Sequence, residues 1–208
     1  MTNATVSKAR NARLHAVEEQ QARAARQRKL RNLGFWGVGL LVVAGLLGYA
    51  MLNSRPNVGA TTKVAPPFTL TDTAGKTVTL ADYRGRNVIL YFSEGAGCEA
   101  CLLQMGKIEA DKAAFDKANI TVLPVVMNSR DQILADMATN KVTTPFLLDN
   151  GIVSREYGTL GKGMHAGLPG HSFVLIDSAG MQRWYGEYPS MWLDPNELLK
   201  TVQGVLAA

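Results

Sequence analysis

Residues 87–101, NVILYFSEGAGCEAC, decide the reading of this chain. After Asn87 the run VILYF is continuously apolar, of strand length, and built from β-branched, aliphatic and aromatic residues. A continuous rather than alternating run suits a strand covered on both faces. Gly95 and Gly97 end it, and Cys98-Glu99-Ala100-Cys101 opens a helical pattern. In that pattern Leu102, Met105 and Ile108 recur at a spacing of three, and Phe115 closes the segment. A Cys-x-x-Cys pair between strand and helix has a specific chemical use. The first cysteine lies at the helix N-terminus, where free backbone N–H groups and the helix dipole favour a thiolate. The second lies one turn on, close enough to attack a mixed disulfide formed by the first. Cys98 is therefore expected to attack and Cys101 to resolve. Glu94 and Glu99 add two carboxylates nearby, and both oppose a thiolate. The expected potential is accordingly reducing or middling.

Outward from this core the segments alternate. Residues 68–80 form two short β-branched runs around Ala74-Gly75, a hairpin pattern. Residues 120–127, ITVLPVVM, read as a second buried strand interrupted by Pro124. Asn128 to Asp131 look like the cap of a helix reaching about residue 140, and 146–148 a short strand. Residues 172–176, SFVLI, are a strand, with a turn at 177–180 and a hairpin partner at 181–185. Asp194-Pro195 starts a last helix reaching about Val205, with Pro195 suited to the first helical position. The order predicts an α/β architecture, a mixed sheet covered by helices.

The N-terminal part is different. Residues 33–52, LGFWGVGLLVVAGLLGYAML, carry no charge, and twenty helical residues rise about 30 Å, a bilayer core. Trp36 and Tyr49 lie near its ends, where interfacial rings belong. Eight Lys and Arg against two Glu in residues 1–32 exceed the whole chain's net charge of +5, so the remainder is near neutral. That distribution argues against a nucleic-acid partner. It also predicts a cytoplasmic basic tail (1–32), a transmembrane helix (33–52), a Pro/Gly/Thr/Asn-rich linker (53–66) and an extracytoplasmic domain (67–208). A cleaved signal peptide is the alternative, with Gly48 and Ala50 at cleavage-like spacing, but so long a charged leader favours a retained anchor. Both versions export the domain.

Two cysteines are too few for a disulfide scaffold. A zinc site would need a second pair of ligands, which His165 and His171 could supply. A purely structural bridge across so short a loop would constrain little.

From about residue 65 to 207 the chain resembles the thioredoxin-like superfamily that includes AhpC/TSA peroxiredoxins and TlpA/ResA-like membrane-anchored reductases. The resemblance rests on Pro66-Pro67-Phe68-Thr69-Leu70, Gly75-Lys76, Leu80-Ala81-Asp82-Tyr83-Arg84-Gly85, the 88–92 strand, Cys98-x-x-Cys101, and Phe173-Val174-Leu175-Ile176-Asp177 with Gly180. It implies a thioredoxin-like fold behind one transmembrane helix and a redox-active disulfide, Cys98–Cys101, with no other cofactor. It also implies partners among exported or membrane thiol/disulfide proteins in a bacterial cell envelope. Two positions depart from the TlpA/ResA pattern. Gly97 stands where those relatives usually carry Trp. Their cis-proline place falls on His171, with Pro169 two residues earlier as the candidate for a cis bond.

Three uses of the pair compete. A thiol–disulfide oxidoreductase fits the dithiol best. In a peroxidase Cys101 would take the peroxide-attacking place, but the family's Pro-x-x-x-Thr would read Glu94 and Cys98. A Sco-like copper carrier would use Cys98 and Cys101 with His171 or His165, since soft thiolates and imidazole suit copper.

Overall fold

A computed structural model describes residues 3–163 and 165–208, with the side chains of 21, 23, 26–163 and 165–208. The chain divides into two units, 1–53 and 54–208. The first is one helix, α1 (Asn3–Asn53). Its stretch Arg26–Asn53 is long and apolar enough to cross a membrane. Large apolar side chains along it, Leu33, Phe35, Trp36, Leu41 and Tyr49 among them, are exposed.

The second unit is built on an eight-stranded mixed sheet. In chain order its elements are β1 (Asn57–Val64), β2 (Thr69–Asp72), β3 (Thr77–Thr79), β4 (Asn87–Phe92), α2 (Glu99–Ala110), α3 (Lys112–Lys117), β5 (Ile120–Val126), α4 (Arg130–Asn140), β6 (Leu147–Leu148), α5 (Ile152–Glu156), β7 (Ser172–Ile176), β8 (Met181–Glu187) and α6 (Pro195–Ala207). The sheet order is β1-β8-β7-β4-β5-β6-β2-β3. Strand β4 runs parallel to β5 and antiparallel to β7, so it lies inside the sheet.

The continuous apolar run of β4 is explained by its two covered faces. Ile89 and Tyr91 join one core with Leu102, Met105, Phe173, Leu198 and Val202. Val88, Leu90 and Phe92 join the other with Phe68, Leu123, Val153, Tyr157 and Val174. Ile89, Leu90, Tyr91 and Phe92 are fully buried, each worth about 1.5–3 kcal/mol relative to exposure. Pro124 is tolerated in β5 because its missing N–H faces away from β4. The neighbouring Val125 carbonyl points to β4, accepting from Ser93 N–H, and β6 pairs only from Val125 onward.

The expected helices start where their caps predict. Ser129 and Gln132 form a capping box at α4, and Asp194 accepts from the N–H groups of Asn196 and Glu197 at α6. The hairpin of 68–80 forms as β2 and β3, with Gly75 at φ +85° in the turn. Three expectations need correction. The helix read from Cys98 to Phe115 breaks at Asp111 into α2 and α3. The short helix α5 was not expected. The stretch 53–66 is not simply a linker: Asn57–Val64 is strand β1, paired antiparallel with β8. Its side chains are mostly exposed, so main-chain pairing rather than an apolar face holds it.

Candidate active site

Cys98 and Cys101 lie at the junction of β4 and α2, where the sequence places them. Cys98 is the N-cap of α2, and its Sγ accepts from the Cys101 N–H at 3.3 Å. The two are disulfide-bonded, with Cα atoms 5.3 Å apart. The Cys101 N–H also lies 3.0 Å from the Cys98 carbonyl oxygen, so the sulfur shares it, and the sulfur sits at the positive end of the helix dipole. Cys98 is 8 % exposed and Cys101 is fully buried, so only the first offers a surface to a partner.

The turn before the pair is held by side chains from elsewhere. Asn128 accepts from the Ala96 N–H at 2.9 Å, and Asp136 from the Gly97 N–H at 2.7 Å. Gly95 has φ +71°, and a Cβ there would strike Asn128 and Val126. Gly97 has φ +87° with open space around it. The absence of Trp at 97 thus has a backbone reason: this turn needs a left-handed residue there.

Behind the pair is a buried polar contact that the sequence did not disclose. The Tyr91 hydroxyl lies 3.1 Å from the Cys101 carbonyl oxygen and 3.2 Å from His171 Nδ1. Tyr91 stacks on Phe173 with ring centroids 4.8 Å apart, and His171 meets both rings edge-on. Burial pushes the Tyr91 phenol well above its ordinary value. It pushes His171 down to about 4, so the ring is neutral at pH 7. Gln104 clamps α2 to the segment before α6, donating to the Leu193 carbonyl and accepting from its N–H, both at 2.8 Å.

Glu99 is exposed on the first turn of α2. Glu94 is buried and does not face solvent beside the thiols. Its carboxylate accepts from the His165 N–H at 3.1 Å and meets His165 Nδ1 at 2.6 Å. Pro169 is buried and pairs with Leu160 in an isolated bridge. The cis bond expected there is absent, as no cis peptide occurs among the described residues; the Gly161 N–H to Leu168 carbonyl and Gly170 N–H to Thr159 carbonyl bonds fix the flanking backbone instead. Of the copper alternative's residues, His171 Nδ1 lies against Tyr91 and His165 Nδ1 against Glu94, and among the described residues no three His, Cys, Asp or Glu side chains are grouped as metal ligands.

An N-capping cysteine with a buried partner one turn on, on the helix after an inner strand of a mixed sheet, defines a thioredoxin-fold dithiol protein. The chain belongs to the AhpC/TSA family, which matches residues 61–184. It is similar to a putative peroxiredoxin of Mycobacterium tuberculosis, 34% identical over 85 residues, 41% of this chain and 54% of that protein. It is also similar to the thiol-disulfide oxidoreductase ResA of Geobacillus thermodenitrificans, 27% identical over 139 residues, 56% of this chain and 79% of the relative. The chain thus spans about half the length of the peroxiredoxin and more of ResA. Among solved structures, the reduced 2-Cys peroxiredoxin of Plasmodium vivax superimposes with TM-score 0.61 at 20% identity, covering 70% of this chain and 95% of that one. A putative protein disulfide isomerase of Bacteroides thetaiotaomicron superimposes with TM-score 0.56 at 26% identity, covering 73% and 95%.

Proposed function

We propose that this protein is a membrane-tethered thiol–disulfide oxidoreductase acting outside the cytoplasm. The observation that carries the reading is the asymmetry of the pair: Cys98 caps α2 near the surface and Cys101 is sealed behind it. The Cys98 thiolate attacks a disulfide of a partner protein, forming a mixed disulfide and releasing one partner thiolate. The Cys101 thiolate then attacks Cys98 Sγ, closing the Cys98–Cys101 bond and releasing the second. Two electrons pass from the dithiol to the partner, and the reverse sequence oxidises a partner dithiol.

The tether is supported by the uncharged stretch 33–52 in α1. The basic residues preceding it support a cytoplasmic N-terminus and an exported redox domain in a cell envelope. Partners are then exported or membrane proteins carrying reactive disulfides. Glu99, exposed on the first turn of α2, disfavours the Cys98 thiolate and supports a reducing or middling potential.

The test is thiol trapping in intact cells with Cys101→Ser. A partner captured on Cys98 as a reducible adduct supports the proposal. A native pair found permanently oxidised and unreactive contradicts it. Peroxide consumption with a thiol donor, with no disulfide exchange, would move the reading to a peroxidase.

A further inference from the structure

Cys101 is the thiol that must turn and attack, yet it is fully buried and lies in the first turn of a helix. Its peptide is held at both polar atoms. The N–H is shared between the Cys98 carbonyl oxygen at 3.0 Å and Cys98 Sγ at 3.3 Å, and the carbonyl oxygen lies 3.1 Å from the Tyr91 hydroxyl. Tyr91 belongs to β4, inside the sheet, and is fully buried. Its ring is fixed by stacking on Phe173, so its hydroxyl is a rigid post.

The hydroxyl has one proton and two hydrogen-bond partners, at 3.1 and 3.2 Å, with the Ser93 side chain a further neighbour. A carbonyl can only accept, so the bond to Cys101 uses that proton. The 3.2 Å contact with His171 is then satisfied only if Nδ1 carries the ring hydrogen and donates to the Tyr91 oxygen. The opposite assignment keeps one bond and leaves a buried N–H at Nε2 orphaned, since Nε2 has no partner. The first assignment keeps both bonds and leaves only a bare nitrogen there. The contacts therefore run one way, from His171 Nδ1–H to the Tyr91 oxygen and from Tyr91 O–H to the Cys101 carbonyl.

We propose that Tyr91 is a positioning residue for the resolving cysteine, holding the Cys101 carbonyl and itself oriented by the Nδ1–H of His171. When the disulfide opens, this post keeps the Cys101 peptide against β4. The Cys101 thiol then stays beside Cys98 as the mixed disulfide forms. What it raises is the effective concentration of the second thiol, not the reactivity of the first. The proposal rests on the reading of Cys101 as the resolving thiol.

The test uses the full chain in detergent micelles, reduced and mixed with oxidised glutathione. Cys98 attacks first, giving a Cys98–glutathione disulfide and one glutathione thiolate. Cys101 then displaces the second glutathione, whose thiolate takes up the proton that Cys101 loses. Quenched mass spectrometry times both phases. Tyr91→Phe, which keeps the ring and deletes the hydroxyl, should slow the second phase about tenfold relative to the first. His171→Asn presents an N–H near the Nδ1 place and should resolve near the native rate, whereas His171→Leu should slow as Tyr91→Phe does. Nitrogen NMR of the native chain should report the Nδ1–H tautomer at His171. An unchanged second phase in Tyr91→Phe, equal slowing by His171→Asn and His171→Leu, or a native Nε2–H tautomer would overturn the proposal. Should Tyr91→Phe not fold, the histidine pair and the tautomer still decide. If Cys101→Ser failed to block the second phase, the oxidoreductase reading itself would fall, independently of Tyr91.

Discussion

The two cysteines are one helical turn apart and sit in opposite kinds of surroundings. On the Cys98 side the chain is a glycine-bearing turn held at its amides by Asn128 and Asp136, with Glu99 in solvent. On the Cys101 side it is the inner face of the sheet, with Tyr91, His171 and Phe173 packed ring against ring. One side is shaped for access and the other for constancy. A dithiol that passes electrons needs both, since the attacking sulfur must meet a partner and the resolving sulfur must wait in place.

Removing either sulfur should break the contrast most severely. Cys98→Ser should reduce disulfide-exchange turnover to the uncatalysed background, and Cys101→Ser should allow one attack and then stall; an insulin-reduction assay with single-turnover analysis separates the two. Gly95→Ala strikes the accessible side. It forces a left-handed φ of +71° on an L-residue and drives a Cβ into Asn128 and Val126. The expected loss is about 1–3 kcal/mol, or about 2–4 °C of melting temperature per kcal/mol in a domain of this size, read by thermal unfolding.

The buried side predicts a pH dependence. Burial holds His171 down to about 4 in the folded protein, against an ordinary value of 6.5 when unfolded. Between those values the unfolded chain binds more protons, so stability is full above pH 6.5 and falls as pH drops toward 4. The contribution is about 3 kcal/mol. Denaturant titrations from pH 7 to pH 4.5 should show the decline, and His171→Asn should flatten it. His165 makes the contrasting case. Its side chain is 68% exposed but its partner Glu94 is only 3% exposed, so His165→Ala leaves a buried carboxylate on one backbone N–H and should cost about 1–3 kcal/mol in thermal unfolding, while hydrogen exchange quickens at Gly161 and Gly170.

What could be read from the sequence follows the range of the interactions. The strand 87–92, the Cys-x-x-Cys junction, the SFVLI strand and the capped helices are local patterns, and the fold and the two sulfurs follow from them. Strand β1 was hidden because Asn57–Val64 buries almost nothing and is held by pairing with β8, more than a hundred residues later in the chain. Tyr91 was hidden by its own neighbourhood: in an unbroken apolar run, no period says which residue faces the helix. Glu94 and His165 are 71 residues apart, and no spacing links them. His171 stands out in the sequence through the resemblance, and the structure sets its Nδ1 against Tyr91, 80 residues away in the chain.

In the proposed mechanism the accessible sulfur attacks and the buried one resolves. This order is tested most directly by mass-spectrometric mapping of mixed disulfides after each single-cysteine chain, Cys98→Ser and Cys101→Ser, meets the same disulfide-bearing protein. A stable adduct is expected on Cys98 in the Cys101→Ser chain and little or none on Cys101 in the Cys98→Ser chain. An adduct forming on Cys101 as fast as, or faster than, on Cys98 would contradict it.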